Sequence, residues 1–168
     1  MRVLGIDPGT WKIGLAVIDQ EKKGLRAVHY ETIVLQDAKN RLSLARRLKK
    51  IYDSLMETFK VFKPDVAALE DIFYSLNLRT ATRIGEARAV AILAATNFNV
   101  DVVEYSPARI KQAISGNGQA SKIQMQYMVR HLLKLRENPD PDEADALAVA
   151  ICHCHSNPTK RLLQEVAK

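Results

Sequence analysis

The sequence predicts an α/β domain built on a mixed five-stranded sheet, in which an antiparallel three-strand meander is continued by two parallel strands and flanked by helices. Three observations carry this. The first 35 residues hold three runs of strand character joined by turns too short for a helix. From Asn40 to Phe62 the apolar period becomes helical. Beyond that, the short apolar runs Val66–Leu69 and Val100–Glu104 alternate with helical stretches, an order that yields parallel strands joined by right-handed crossovers.

In chain order, Val3, Leu4 and Ile6 form a buried strand that Pro8-Gly9 ends, leaving Asp7 at its tip. Gly14–Asp19 and Leu25–Leu35 are the next strands, with the polar turn 20–24 between them. The helix 40–62 places Leu42, Ala45, Leu48, Tyr52, Leu55, Phe59 and Phe62 on one stripe, with Arg46, Arg47, Lys49 and Lys50 as a solvated face, and Pro64-Asp65 stops it. Val66–Leu69 delivers a second acid, Glu70. Leu76–Thr96 reads as a helix rich in small residues, among them Gly85, Ala87, Ala89, Ala91, Ala94 and Ala95. Ser106-Pro107 pairs an N-cap with proline at the first helical position, and that short helix ends at the loop 115–118. Ser121 to Gln124 is a capping box, opening a helix with Met125, Met128, Val129, Leu132 and Leu133 inward that Asn138-Pro139 ends. Asp140-Pro141-Asp142-Glu143 then opens a last helix, apolar from Ala144 to Cys152 apart from Asp145. One domain over residues 1–156, with a tail at 157–168, is expected.

The 168 residues suffice for a core without disulfides or structural metal. Hydrophobic and charged fractions of 47% and 26% are those of a soluble globular protein. No apolar run approaches the roughly 18 residues of a membrane span, and Met1-Arg2 is followed by no signal-peptide core, so a cytoplasmic location and no membrane partner are expected. The formal charge of +6 and pI near 9.4 favour a polyanionic partner, nucleic acid first. The string Cys152-His153-Cys154-His155 invites a zinc reading, but helical residues two apart diverge and no second ligand pair exists; reduced, structural thiols are expected.

The chemistry concentrates in acids. Asp7 and Glu70 end two strands that can be neighbours, while Asp142 and Asp145, three apart on a helix, share a face. Taken singly, Asp7 could cap its turn, Asp142 could serve the helix dipole and Glu70 could open a solvated loop with Asp71. Four acids at one point, however, raise one another's pKa values unless a cation neutralises them, and an all-oxygen set selects magnesium or manganese. With four acids so committed, 25 basic residues face the 15 acids left, a formal +10 available to grip phosphate. Candidates for that grip are Arg79 and Arg83 after Glu70, Arg109 with Lys111, and Lys122. Phe73 and Tyr74, just after Glu70, suit either core packing or stacking on a nucleobase.

These motifs, G-I-D-P-G-T at 5–10, E-D-I-F at 70–73 with Asn77, G-E-A-R at 85–88, K-Q-A-I-S-G-N-G at 111–118 with Lys122, and D-E-A-D-A-L-A at 142–148, resemble the RuvC family of bacterial Holliday-junction resolvases. The resemblance runs from Met1 to about Ser156. It implies an RNase H-like fold and a homodimer that binds a four-way DNA junction and nicks two strands of like polarity. It also implies two Mg2+ per subunit, which Mn2+ may replace, and work beside a junction-binding and branch-migrating motor complex. The family's catalytic, metal-holding acids fall on Asp7, Glu70, Asp142 and Asp145, its active-site lysines on Lys111 and Lys122, and its loop aromatic on Phe73. The small-residue helix is the expected dimer interface. A generic RNase H-like nuclease or ribosomal-RNA maturation factor lacks E-x-x-F followed by such a helix. A sugar-kinase or actin-like ATPase needs two lobes and a longer chain, and a silent junction-binding protein has no use for four acids.

Overall fold

The computed structural model describes residues 1–9, 11–35, 42–71 and 78–156. Strands β1 (Arg2–Pro8), β2 (Lys12–Glu21) and β3 (Gly24–Val34) form the meander, followed by α1 (Leu44–Phe62), β4 (Val66–Glu70), α2 (Leu78–Asn97), β5 (Asp101–Tyr105), α3 (Pro107–Ser115), α4 (Lys122–Leu133) and α5 (Pro141–Ser156). The sheet order is β3-β2-β1-β4-β5, with β1–β2 and β2–β3 antiparallel and β1–β4 and β4–β5 parallel. The expected mixed five-stranded sheet is therefore the one observed.

Strand alternation divides the core into two layers. Leu4, Ile6, Ile13, Leu15, Val17, Ala67 and Leu69 face α1 and α2, while Val3, Ala16, Ile18, Val66 and Ala68 face α3, α4 and α5. Counting by twos along β1 and β4, Asp7 and Glu70 fall on the α5 side. Helix α5 is apolar all round because it is covered all round, by the sheet beneath and by α3 and α4 above, and Ala146 to Cys152 are essentially without exposure.

Two boundaries and one helix face differ from expectation. Helix α1 starts at Leu44, where the Ser43 hydroxyl accepts from the Arg46 N–H at 3.4 Å; part of the expected first turn, 40–41, lies outside the described residues. Its inward face includes Ile51, which the expected stripe omitted, while Ala45 is exposed. Helix α4 stops at Leu133, short of Asn138. Lys134 takes a left-handed conformation (φ 53°), and the Leu135 N–H returns to the Arg130 carbonyl at 3.0 Å, a closure that turns Leu135 onto the core.

The small residues of α2 also divide. Ala87, Ala91, Ala94 and Ala95 are buried in the chain's own core, whereas Ala89, Ile92, Leu93 and Thr96 point outward. Ala91, on the expected interface helix, is thus an intramolecular packing residue.

Candidate active site

The site is assembled by register and by two close approaches. Ile6 lies opposite Leu69 in the parallel β1–β4 pair, so Asp7 and Glu70 stand side by side one residue on. Across β1–β2, Asp7 pairs with Gly14. A Cβ at Gly14 would sit 2.1 Å from the Asp142 carbonyl oxygen, and one at Gly5 would sit 2.1 Å from that of Ala146. Both distances are impossible, so glycine at these two positions is what lets α5 lie directly on β1 and β2. The first turn of α5 is thereby pressed against the strand residue that partners Asp7.

Within that turn the acids have separate tasks. The Glu143 carboxylate reaches back to accept the Asp140 N–H at 2.9 Å, serving the helix start. Asp142 and Asp145 remain for the cleft. The Asp142 Oδ2 lies 3.5 Å from the Lys12 Nζ at the start of β2, and the Asp145 Oδ2 lies 3.4 Å from the Lys122 Nζ in the first turn of α4. Glu70, Lys111, Lys122 and Asp145 line a cleft of about 240 Å³ whose apolar wall is Pro107, Ile110, Met125, Ala148 and Val149.

The electrostatics are those of crowded negative charge. Burial first, then Asp145, Glu70 and Asp142, push the Asp7 carboxyl up to about 7 against the pull of Lys122. Burial and Asp145 raise Glu70, with Lys122, Lys111 and a hydrogen bond to Asp7 opposing. Asp145 is raised by burial, with Lys122 again the main opposing influence, and Asp145 in turn raises the Lys122 ammonium. Among the described residues no three carboxylate, imidazole or thiolate side chains stand in a metal-holding group, and Asp142 and Asp145 are each turned toward a lysine. The donors nevertheless fit a hard divalent cation. All are carboxylate oxygens, and a cation among them would offset both the burial and the mutual repulsion that raise Asp7.

The other predicted residues scatter. Arg109 is exposed, with its guanidinium 5.4 Å from the centroid of the Tyr105 ring. Arg83 pairs with Glu86 of its own helix at 3.4 Å. Arg79 falls in the first turn of α2. Phe73 and Tyr74 lie outside the described residues. Cys152 and Cys154 are buried free thiols whose titration is pushed upward by burial, that of Cys154 to about 12, and His153 Nδ1 lies 2.9 Å from the Tyr105 hydroxyl, so Cys152, His153 and Cys154 belong to the core while His155 is exposed. Sequence reasoning missed Lys12. Its signal was its place just past the Pro8-Gly9 turn, where a return strand must bring it back beside the tip of β1. The close-packing roles of Gly5 and Gly14 went unread for the same reason: they depend on which helix lies over the strands.

Comparison with known proteins points one way. The family model described as crossover junction endodeoxyribonuclease RuvC matches residues 3–153. A protein of that name from Desulforamulus reducens is 44% identical over 139 residues, covering 83% of each chain. The solved structure of Thermus thermophilus RuvC superposes with a TM-score of 0.85 at 33% identity, covering 95% of this chain and 97% of the other. The same protein in complex with a Holliday-junction substrate gives 0.84 at 30% identity, covering 95% and 96%.

Proposed function

The chain belongs to the RuvC family of crossover junction endodeoxyribonucleases, and we propose from this premise how its own residues resolve a four-way DNA junction. It is a nuclease that cuts such junctions, of the divalent-metal-dependent kind. The observation that carries the residue assignments is the placing of Asp7 beside Glu70 at the end of the two central strands, with Asp142 and Asp145 brought over them by α5.

In this reading Asp7, Glu70, Asp142 and Asp145 would hold two Mg2+ per subunit, with Mn2+ able to substitute. When bound there, the metal pair supplies an activated water and charge stabilisation for the leaving oxygen in phosphodiester hydrolysis. Lys111 and Lys122, on the opposite wall of the cleft, fit the scissile phosphate, and Lys122 is free to do so once Asp145 is otherwise neutralised. Lys12 plays the corresponding part for Asp142. Arg79, Arg83 and Arg109 supply further phosphate contacts, while Phe73 and Tyr74 engage unstacked DNA at the crossover.

Paired nicks on strands of like polarity need two sites related by the junction's two-fold symmetry, hence a homodimer. The outward face of α2, with Ile92 and Leu93, suits that interface. Work alongside a branch-migrating motor complex belongs to the same reading, as does a chromosomal setting in the cytoplasm. No helix among the described residues is long and apolar enough to cross a membrane.

The test is a labelled four-way junction beside a linear duplex of matched sequence, with magnesium or with chelator, for the native chain and Asp7→Asn. Paired, magnesium-dependent nicks confined to the junction, absent in the variant while junction binding persists, are expected. Cutting of duplex or RNA instead would turn the assignment to a generic RNase H-like nuclease.

A further inference from the structure

The ends of β4 and β5 carry acids on both sides of the sheet. Glu70 faces α5. Glu104, opposite Leu69 in the β4–β5 register, falls on the other face, toward α2, and Asp71 follows Glu70 directly off the end of β4. One side chain joins the last two. From α2, Arg88 Nη2 pairs with the Glu104 carboxylate and lies 3.5 Å from Asp71 Oδ1. Its side chain is only 14% exposed, and its Nε is buried without a hydrogen-bond partner among the described residues. The Asp71 N–H, meanwhile, donates to the Tyr105 carbonyl at 2.8 Å, one residue beyond Glu104. The residue after Glu70 is therefore held twice, by its backbone to β5 and by its side chain to α2.

An arginine drawn this far into the protein, with a buried donor that meets no partner among the described residues, is not ordinary surface charge. We propose that Arg88 is a positioning residue for Glu70: by clamping Asp71 against the end of β5 it fixes the backbone from which Glu70 projects beside Asp7. The proposal rests on the metal-nuclease reading of the four acids. It also has a competing electrostatic consequence of opposite sign. Arg88 is a cation near a cation-binding cluster, so if it acted only through its charge, removing it would tighten metal binding. If it acts by position, removing it loosens metal binding despite the gain in negative potential.

The experiment uses the full chain as native protein, Arg88→Met, Arg88→Lys and Asp71→Asn, with Asp7→Asn as control. Mn2+ affinity of the DNA-free protein is read from the free-ion electron paramagnetic resonance signal. The Mg2+ dependence of single-turnover junction cleavage, junction affinity in chelator and thermal melting are measured alongside. Expected for Arg88→Met are Mn2+ binding weakened by about tenfold, a similar rise in the Mg2+ needed for half-maximal cleavage, and unchanged junction affinity in chelator. Asp71→Asn should shift the metal dependence in the same direction by a smaller factor, and this variant carries the test if Arg88→Met melts below the assay temperature. Arg88→Lys should recover part of the loss. Unchanged or tighter Mn2+ binding in both Arg88→Met and Asp71→Asn, with undiminished cleavage, would overturn the proposal. Failure of the underlying reading looks different: native protein and Asp7→Asn would then bind Mn2+ alike.

Discussion

Replacing Asp7 by asparagine should stabilise the metal-free protein while abolishing its activity. Asp7 is only partly exposed beside Glu70, and burial with three neighbouring acids lifts its carboxyl from 3.8 to about 7. The folded chain thus binds a proton that the unfolded chain has already released between those values. No penalty exists below about pH 4; it grows as pH rises toward 7 and is complete above it. At about 1.36 kcal/mol per decade the full penalty is roughly 4 kcal/mol. Relaxation and the opening of the carboxyl to the cleft bring a working value to about half, near 2 kcal/mol.

Asparagine keeps the shape and removes the charge, so at pH 8 in chelator Asp7→Asn should be more stable than the native chain by about 2 kcal/mol. For a chain of this size that is a rise in melting temperature of about 4–8 °C. The pH dependence is the sharper check. Linkage fixes the slope at no more than about 1.36 kcal/mol per pH unit, and most of the working penalty of about 2 kcal/mol has accrued by pH 5, so urea denaturation should show the advantage of the variant growing by about 0.7 kcal/mol between pH 5 and pH 8. Added Mg2+ should raise the melting temperature of the native chain and leave the variant nearly unmoved. A variant less stable than the native chain in chelator at pH 8, or a difference flat with pH, would refute the claim that Asp7 is held in a destabilising cluster.

Other perturbations test the elements that build the site. Gly14→Ala drives a methyl against the Asp142 carbonyl; it should cost about 1–3 kcal/mol in urea denaturation and reduce junction cleavage far more than junction binding in chelator. Leu93→Glu, on the outward face of α2, should give a folded monomer in sedimentation, whereas Ala91→Glu buries a charge in the core and should unfold the chain. Cys152 and Cys154 should resist a thiol reagent at pH 8 in the native state and react fully in denaturant, because burial keeps both protonated and covered.

Much of the fold was readable because local signals agreed with the global arrangement. Pro8-Gly9 ends β1 where Asp7 is needed, Ser106-Pro107 and the Ser121–Gln124 capping box start their helices where expected, and the meander follows from runs joined by short turns. What could not be read depends on facts no local pattern carries. The stop of α4 at Leu133 is set by Leu135 folding back onto the core, and the inward turn of Ala91 by which face of α2 meets the sheet. The meeting of Asp7 and Glu70 was legible because strand alternation and parallel neighbourhood require it. The hold of Lys12 on Asp142 and of Arg88 on Asp71 was not, since each joins elements far apart in sequence through the tip of a long side chain.

The two acids of α5 show how one helical spacing is put to two uses. Asp142 and Asp145 share a face, yet they answer to different parts of the molecule. Asp142 follows the contact of its own carbonyl with Gly14 and pairs with Lys12, so its position belongs to the meander. Asp145 lies deeper along the helix, faces Glu70 across the cleft and pairs with Lys122, so its position belongs to α4 and to the parallel half of the sheet. Asp7 lies where the two halves join, with β2 on one side of its strand and β4 on the other. Asp7 is buried at that join and feels every other acid of the cluster as well, so its carboxyl carries the largest displacement of the three that shift, and it is the residue whose removal should yield the clearest exchange of activity for stability.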